Sequence, residues 1–209
     1  MKVTKPTAII FNGPPGSGKD YIVKSLIECN SNAVSFHREF KARLYTLTMG
    51  IYGVWYDDFF DIYNNREQKE LPQDIFEGLS IRQAMIKVSE EVIKPVFGND
   101  YFGIAAAKSM LPGINAFSDG GFIEEMQPIY DYTDGNMIII RIHADGCNFN
   151  SDSRNYMTEF KDVPIIDVNN DKTSKFIDDC TSIIDQYIVK QYVTDNSYYY
   201  KVDKSNGSS

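Results

Sequence analysis

The stretch NGPPGSGKD fills positions 12–20. Gly13, four residues, then Gly18 and Lys19 give the spacing G-x-x-x-x-G-K, the pattern of a loop that wraps a polyphosphate. The residue types suit that task. Glycines let backbone N–H groups turn toward phosphate oxygens at close range. A helix starting at the loop adds its positive dipole end. Lys19 supplies a flexible point charge for the β- and γ-phosphates. On this reading Gly13, Pro14, Pro15, Gly16, Ser17, Gly18 and Lys19 cradle the phosphates of a bound nucleotide. The last position departs from the usual Ser or Thr, whose hydroxyl faces Mg²⁺. Here it is Asp20. A carboxylate is also a hard oxygen ligand for Mg²⁺, so Asp20 is either a metal-side group or an acidic residue favoured in a first helical turn.

Other charged residues fall where phosphate chemistry would need them. Asp119 follows an apolar run and precedes Gly120–Gly121; it is a candidate Mg²⁺ ligand, with turn formation as the alternative. Arg38 and Lys41 follow a second apolar run, Arg82 opens a helical stretch, and Arg141 and Arg154 flank a polar segment. Arginine grips phosphate bidentately, although any one of these is by itself an ordinary surface charge.

The elements that must position these groups alternate between strand and helix. Strands are expected at 7–11, 33–37, 113–122 (ending near Ser118–Asp119), 136–143 and 163–170, from their apolar, β-branched runs. Helices are expected at 20–28, 38–51, 79–95, 99–111, 123–132 (with Pro128 inside) and 171–192. Ser80 caps the 79–95 helix, with Ile81, Met85, Val88 and Val92 as its stripe. The aromatic and charged stretch 52–72 reads as an irregular insertion, and 144–160 as a polar loop with a short helix near Ser153. Alternation of this kind implies a parallel sheet covered on both sides. Right-handed crossovers then bring the loops after Phe11, His37, Phe117, His143 and Val168 to one edge. The glycine loop, Asp119, Arg141 and the polar loop are expected to share a cleft there.

Composition sets the bounds. The 209 residues suffice for one sizeable α/β domain, at 43% hydrophobic and 24% charged. A net charge of −8 argues against extended nucleic-acid binding. Three scattered cysteines, Cys29, Cys147 and Cys180, show no metal spacing and read as inert thiols. His37 and His143 are too far apart in sequence to suggest a metal site or a His-centred triad. No apolar leader or membrane-length run is visible, so a cytoplasmic protein with no membrane partner is expected.

Taken together, the Gly18–Lys19–Asp20 ending, the stretch SFHREFKARLYTLTMGIYG, the NNREQKELP segment, the helix IRQAMIKVSEEVIKPVFGNDYF, FSDGGFIEEM and DGCNFNSDSRNYM resemble phage deoxynucleoside monophosphate kinases, a branch of the P-loop nucleotide kinases. The resemblance covers most of residues 7–188. It implies a three-layer α/β P-loop kinase fold with a five-stranded, mostly parallel sheet and helices on both faces. One domain would span 1–192, with an acceptor-binding insertion at about 38–98, a lid at about 144–160 and a tail at 193–209. ATP or dATP would be the phosphoryl donor, with Mg²⁺ held by Asp20 and Asp119, and small-molecule nucleotides would be the substrates. In a phage-encoded protein the compartment would be the host cytoplasm. Arg82 matches the acceptor-phosphate arginine, with Lys41, Arg38 and Asp119 beside the acceptor. Arg141 and Arg154 would close over the transferring group, which makes Lys19, Arg82, Arg141 and Arg154 the catalytic set. Asn169 and Lys172 match the turn near the donor base. One departure is Gly121, where the family often carries Arg. The Gly-Lys-Asp ending is shared with phosphomevalonate kinases, so another acceptor, including a hydroxymethylated base in phage DNA, is an alternative. A non-kinase nucleotide-binding regulatory protein is a second. The aromatic stretch 52–63 is either a homodimer surface or an internal cover.

Overall fold

The computed structural model describes residues 5–29, 34–150, 152 and 154–188. Five strands form one parallel sheet: β1 (Thr7–Asn12), β2 (Phe36–Arg38), β3 (Ile114–Phe117), β4 (Met137–His143) and β5 (Ile165–Asn169). Their order is β2-β3-β1-β4-β5. Strands buried on both faces read as unbroken apolar runs, not alternating ones. Ala8 to Phe11 and Met137 to Ile140 are accordingly at 0% exposure. Register sets Asn12 beside Arg141, and Arg141 beside Asp167. The fold class is therefore α/β, as the alternation of elements requires.

The chain forms two compact units. The first runs through His37, then takes Leu111–Gly121 and everything from Thr133 onward. Helix α1 (Lys19–Glu28) packs Ile22, Val23 and Leu26 against Ile9, Phe11, Ile138 and Ile140. The helical segment 174–188, the last described and here α8, adds Phe176, Cys180, Ile184 and Tyr187 to that core.

The second unit comprises Arg38–Met110 and Phe122–Tyr132. It holds α2 (Ala42–Tyr52), α3 (Tyr56–Asn64), α4 (Ile81–Lys87), α5 (Lys94–Phe97), α6 (Tyr101–Ser109) and most of α7 (Ile123–Thr133). Its core is aromatic: Tyr45, Phe59 and Phe76 pack with Ile81, Ala84 and Met85.

Two local expectations need correction. Residues 52–72 are not irregular throughout, because α3 occupies Tyr56–Asn64. Tyr56, Phe59, Phe60 and Tyr63 stand at helical spacing and pack ring on ring, a period that the many acidic neighbours obscure. Phe59 is buried, whereas Trp55 and Tyr56 are exposed. The helix over 79–95 keeps its Ser80–Gln83 capping box and buries Ile81, Met85 and Val88, but Val92 is 42% exposed. The cause is a π-helical turn at Val88–Ile93 joining α4 to α5. An i→i+5 turn inserts one residue, so the buried stripe passes from Val88 to Ile93 and leaves Val92 outside. The remaining boundaries shift by a few residues, as element ends do. Of the expected short helix near Ser153, residue 153 lies outside the described residues, and 154–160 are not helical. Positions 33 and 189–209 also lie outside them. No helix among the described residues is long and apolar enough to cross a membrane.

Helices α6 and α7 meet backbone to backbone at Gly103. A Cβ there would stand 2.7 Å from Glu125 Cα and overlap the Glu125 carbonyl. Overpacking at such a contact costs about 1–3 kcal/mol. Gly103→Ala should lower the free energy of unfolding by that amount, read in equilibrium urea unfolding as a lower midpoint at unchanged slope.

Candidate phosphate-binding site

The glycine loop connects β1, the central strand, to α1. Gly18 is the N-cap of α1 at φ 99°, a left-handed conformation that favours glycine. A Cβ on Gly18 would also overlap Asn170 Nδ2. Gly13 is closed in as well: a Cβ there would lie 2.7 Å from Ser17 Oγ and 2.8 Å from the Ile142 carbonyl. Lys19, only 8% exposed, folds its ammonium back on the loop and donates to the carbonyls of Gly13 (2.6 Å) and Pro14 (2.8 Å). Ser17 Oγ is buried with no hydrogen-bond partner among the described residues. Asn170, in the turn after β5, donates to the Ser17 carbonyl at 2.9 Å and takes the Lys172 amide on its own oxygen at 2.9 Å. The loop is thus clamped from outside by a side chain that lies between Asn169 and Lys172, the two sequence candidates.

Asn12, at 0% exposure, ties three segments together. Its Nδ2 donates to the carbonyls of Gly120 (3.3 Å) and Asn155 (3.2 Å), and its Oδ1 accepts from the Met157 amide (3.0 Å). The polar loop 144–160 is therefore fastened to the end of β1. Arg141 adds a second fastening. Its Nη1 donates to the Met157 carbonyl, while Nε and Nη2 clasp Asp167 at 2.8 and 2.5 Å. That clasp holds the Asp167 carboxyl below the usual carboxylate range, and His143 Nε2, also on Asp167, adds to the effect. Tyr156 OH donates to the Ile142 carbonyl.

Arg154 sits over the end of β3. Its Nη1 donates to the Asp119 carbonyl at 3.1 Å, and Nε and Nη2 bind Asp152 at 2.9 and 2.7 Å. This pairing pushes the Asp152 carboxyl down from its ordinary range. The stem of Arg154 fills the space beside Gly121: a Cβ there would be 2.7 Å from Arg154 Cδ. Asp119 itself is 8% exposed. A cleft of about 450 Å³ lies beside these groups, lined by His143, Cys147, Tyr156, Asn169, Asn170 and Asp171. The His143 and Tyr156 rings pack at 4.5 Å.

The three cysteines differ in setting: Cys29 is exposed, Cys147 partly buried and Cys180 buried, its thiol pushed up to about 12 by burial. Asp20 is exposed and accepts a hydrogen bond from Ser118 Oγ at 2.6 Å, and His37 Nε2 lies 2.9 Å from the same hydroxyl.

Within the second unit, Arg38 and Lys41 stand just before α2 and Arg82 is near the start of α4. Burial pushes the Arg38 guanidinium down from its ordinary value. Lys41 pairs with Glu39 at 3.3 Å and lies 5.9 Å from the Tyr63 ring, with Lys69 Nζ at 3.5 Å from that ring. Arg82 Nε donates to Glu70 Oε1 at 2.8 Å, both side chains being more than half exposed.

In the first unit, then, the structure gathers the glycine loop, Asp119, Arg141, Arg154, Asn169 and the 144–160 segment at the strand ends. Sequence reasoning missed the residues that hold them: Asn12, Ser118, Asp152, Asp167 and Asn170. For Asn12 and Ser118 a signal existed, since a polar residue closing an apolar strand at this edge faces the loops.

By structure the chain is an α/β protein with a Walker-type glycine loop between its central strand and first helix. No protein-family model matches it, and no curated protein does. Among solved structures it is similar to a gluconokinase from Sinorhizobium meliloti 1021, with 11% identity and a TM-score of 0.46 over 91% of this chain and 98% of that one. It is also similar to a protein from Chloroflexus aurantiacus J-10-fl provisionally described as a kinase, with 12% identity and a TM-score of 0.43 over 88% and 99%. At that distance neither likeness bears on this chain's activity.

The Arg141–Asp167 clasp has a pH signature. The folded Asp167 carboxyl lies below its unfolded value of about 4. It therefore adds stability above that pH, and the gain is lost as pH falls through the folded value. Half-exposure of Asp167 screens the pair and keeps the effect modest. Urea midpoints measured from pH 5 down to pH 2 should fall less steeply for Asp167→Asn than for the native protein.

Proposed function

We propose that the chain is an ATP- and Mg²⁺-dependent kinase that moves the γ-phosphoryl group onto a deoxynucleoside 5′-monophosphate, in the manner of the phage enzymes it resembles. The observation that carries the reading is the make-up of the glycine loop. The Lys19 ammonium, the first amides of α1 and the buried hydroxyl of Ser17, unpartnered among the described residues, all belong to one cradle. A buried polar atom without a partner is costly, and a phosphate oxygen would satisfy it. In the nucleotide complex Lys19 would exchange the carbonyls of Gly13 and Pro14 for the β- and γ-phosphates.

Phosphoryl transfer depends on alignment and charge neutralisation more than on covalent help from the protein. Asp20 and Asp119 are hard oxygen donors and suit Mg²⁺. The ion would offset the charge of the bound polyphosphate. Arg154, now held by Asp152, would turn to the transferring group, and Arg141 would keep the base of the lid in place. Closure of the 144–160 segment would exclude water, which competes as acceptor. The cleft beside His143 and Tyr156 offers aromatic surface for the donor base, near Asn169 and Lys172. Arg38, Lys41 and Arg82 of the second unit would take the acceptor's phosphate; Arg82 can bind it bidentately once it leaves Glu70. The acceptor is itself an anionic nucleophile, so no strong general base is needed. A phage-encoded protein of this kind would serve DNA precursor synthesis in the host cytoplasm.

Coupled ADP-release assays with a panel of deoxynucleoside monophosphates test this reading. At least one should stimulate ADP release in the presence of Mg²⁺. Lys19→Ala should reduce the rate by about 10²–10³-fold, the cost of losing one charge-stabilising group, with an unchanged far-UV circular dichroism spectrum. No stimulation by any member of the panel would overturn the assignment of the acceptor.

A further inference from the structure

The hydrogen-bond chain at Asp20 has a fixed polarity. Ser118, at 1% exposure, closes β3 and donates its hydroxyl proton to Asp20 Oδ1 at 2.6 Å. An ionised carboxylate only accepts, and a serine hydroxyl has only one proton to give. That proton is committed to Asp20. His37 Nε2, 2.9 Å from the same oxygen, must therefore be the donor in its own contact, so the imidazole carries its proton on Nε2. The result is a directed relay in which His37 donates to Ser118 and Ser118 donates to Asp20. All three lie in the first unit: His37 within β2, Ser118 just after β3 and Asp20 at the start of α1.

The relay acts on an anion in an unusual place. Asp20 is the second residue of α1, next to Lys19 and at the mouth of a loop built to attract negative charge. A Ser or Thr there would leave the loop attractive to polyphosphate under all conditions. A carboxylate free to rotate would swing into solvent, where its charge would be screened. Ser118 stops that rotation by holding Oδ1, and His37 fixes the hydroxyl's direction.

We infer that Ser118, oriented by His37, holds the Asp20 carboxylate in place as a gate that makes polyphosphate binding conditional on a divalent cation. The inference rests on the reading of the loop as a nucleotide site. Without a cation the fixed charge opposes the polyphosphate; with one, it contributes a ligand. Ser118 and His37 are positioning residues, acting through Asp20.

Calorimetric titration with ATP, in excess Mg²⁺ and again in EDTA, reads this without turnover. The ratio of the two affinities should be larger in the native protein than in Asp20→Asn or Asp20→Ser by about tenfold or more, the scale of one unit charge at close range near a protein surface. Ser118→Ala should bring the ratio toward that of Asp20→Asn. Nitrogen-15 NMR should find His37 as the Nε2–H tautomer in the native protein, with the preference lost in Ser118→Ala. If Ser118→Ala does not fold, the Asp20 variants, altered only at an exposed position, still decide the matter. Equal ratios in native protein and Asp20→Asn would overturn the gate while leaving the nucleotide site standing. A native Nδ1–H tautomer would overturn the relay. Failure of every form to bind ATP in Mg²⁺ would overturn the nucleotide site, and the gate with it.

Discussion

The side-chain amide of Asn12 is the contact on which the site's architecture depends. It sits at the last position of the central strand, fully buried, and satisfies two carbonyls and one amide from segments more than a hundred residues away. An isosteric apolar residue there would strand the Gly120 carbonyl and the Met157 amide, both in buried residues, each costing on the order of 1–3 kcal/mol when buried unpaired. The asparagine amide carries two N–H donors and an acceptor oxygen in one short planar group, which matches the two carbonyls and one amide here. The identity of the residue before the glycine loop is therefore set by the loops above it, and not by the sheet it ends. With Asn12 in place, the turn after β3 and the segment 144–160 hang from one point, and Asn170 adds a second point at the Ser17 carbonyl of the glycine loop.

The cations near this point are internally balanced. Arg154 is held by Asp152, Arg141 by Asp167, and Lys19 by loop carbonyls. A buried or half-buried guanidinium without an anion would be expensive. The paired aspartates order these side chains. The arrangement preorganises the arginines while limiting the penalty of keeping them partly out of water. The same logic separates Arg141 from Arg154. Arg141 is committed by strand register, which sets Asp167 beside it on β5, whereas Arg154 is held by an anion only two residues away on its own loop.

How much of this was legible in the sequence follows from the range of each interaction. The strand–loop–helix unit at Thr7–Glu28 is local: apolar run, glycine spacing and helical stripe stand within two dozen residues, and the structure keeps all three. The parallel sheet follows from alternation along the chain. Helix α3 was missed because Asp57, Asp58 and Asp61 hide a ring stripe. Val92 was misplaced because no local feature of VSEEVI announces a π-turn, whose extra residue is fixed by packing around it. The partners of the charged residues could not be read at all. Asp167 beside Arg141 depends on strand order, Ser118 beside Asp20 depends on the crossover that returns β3 to the side of β1, and Asn12's three partners depend on both.

The space at Gly121 links two positions that no local rule connects. Arg154's aliphatic stem lies where any side chain at 121 would have to go, so the two sites compete for one volume. A lineage can place a bulky residue at 121 or keep the long stem at 154, but the intermediate with both is sterically penalised. Exchange between the two arrangements would then run through a chain that has neither, and the fitness of each substitution would carry the sign set by the other: epistasis with a steric origin.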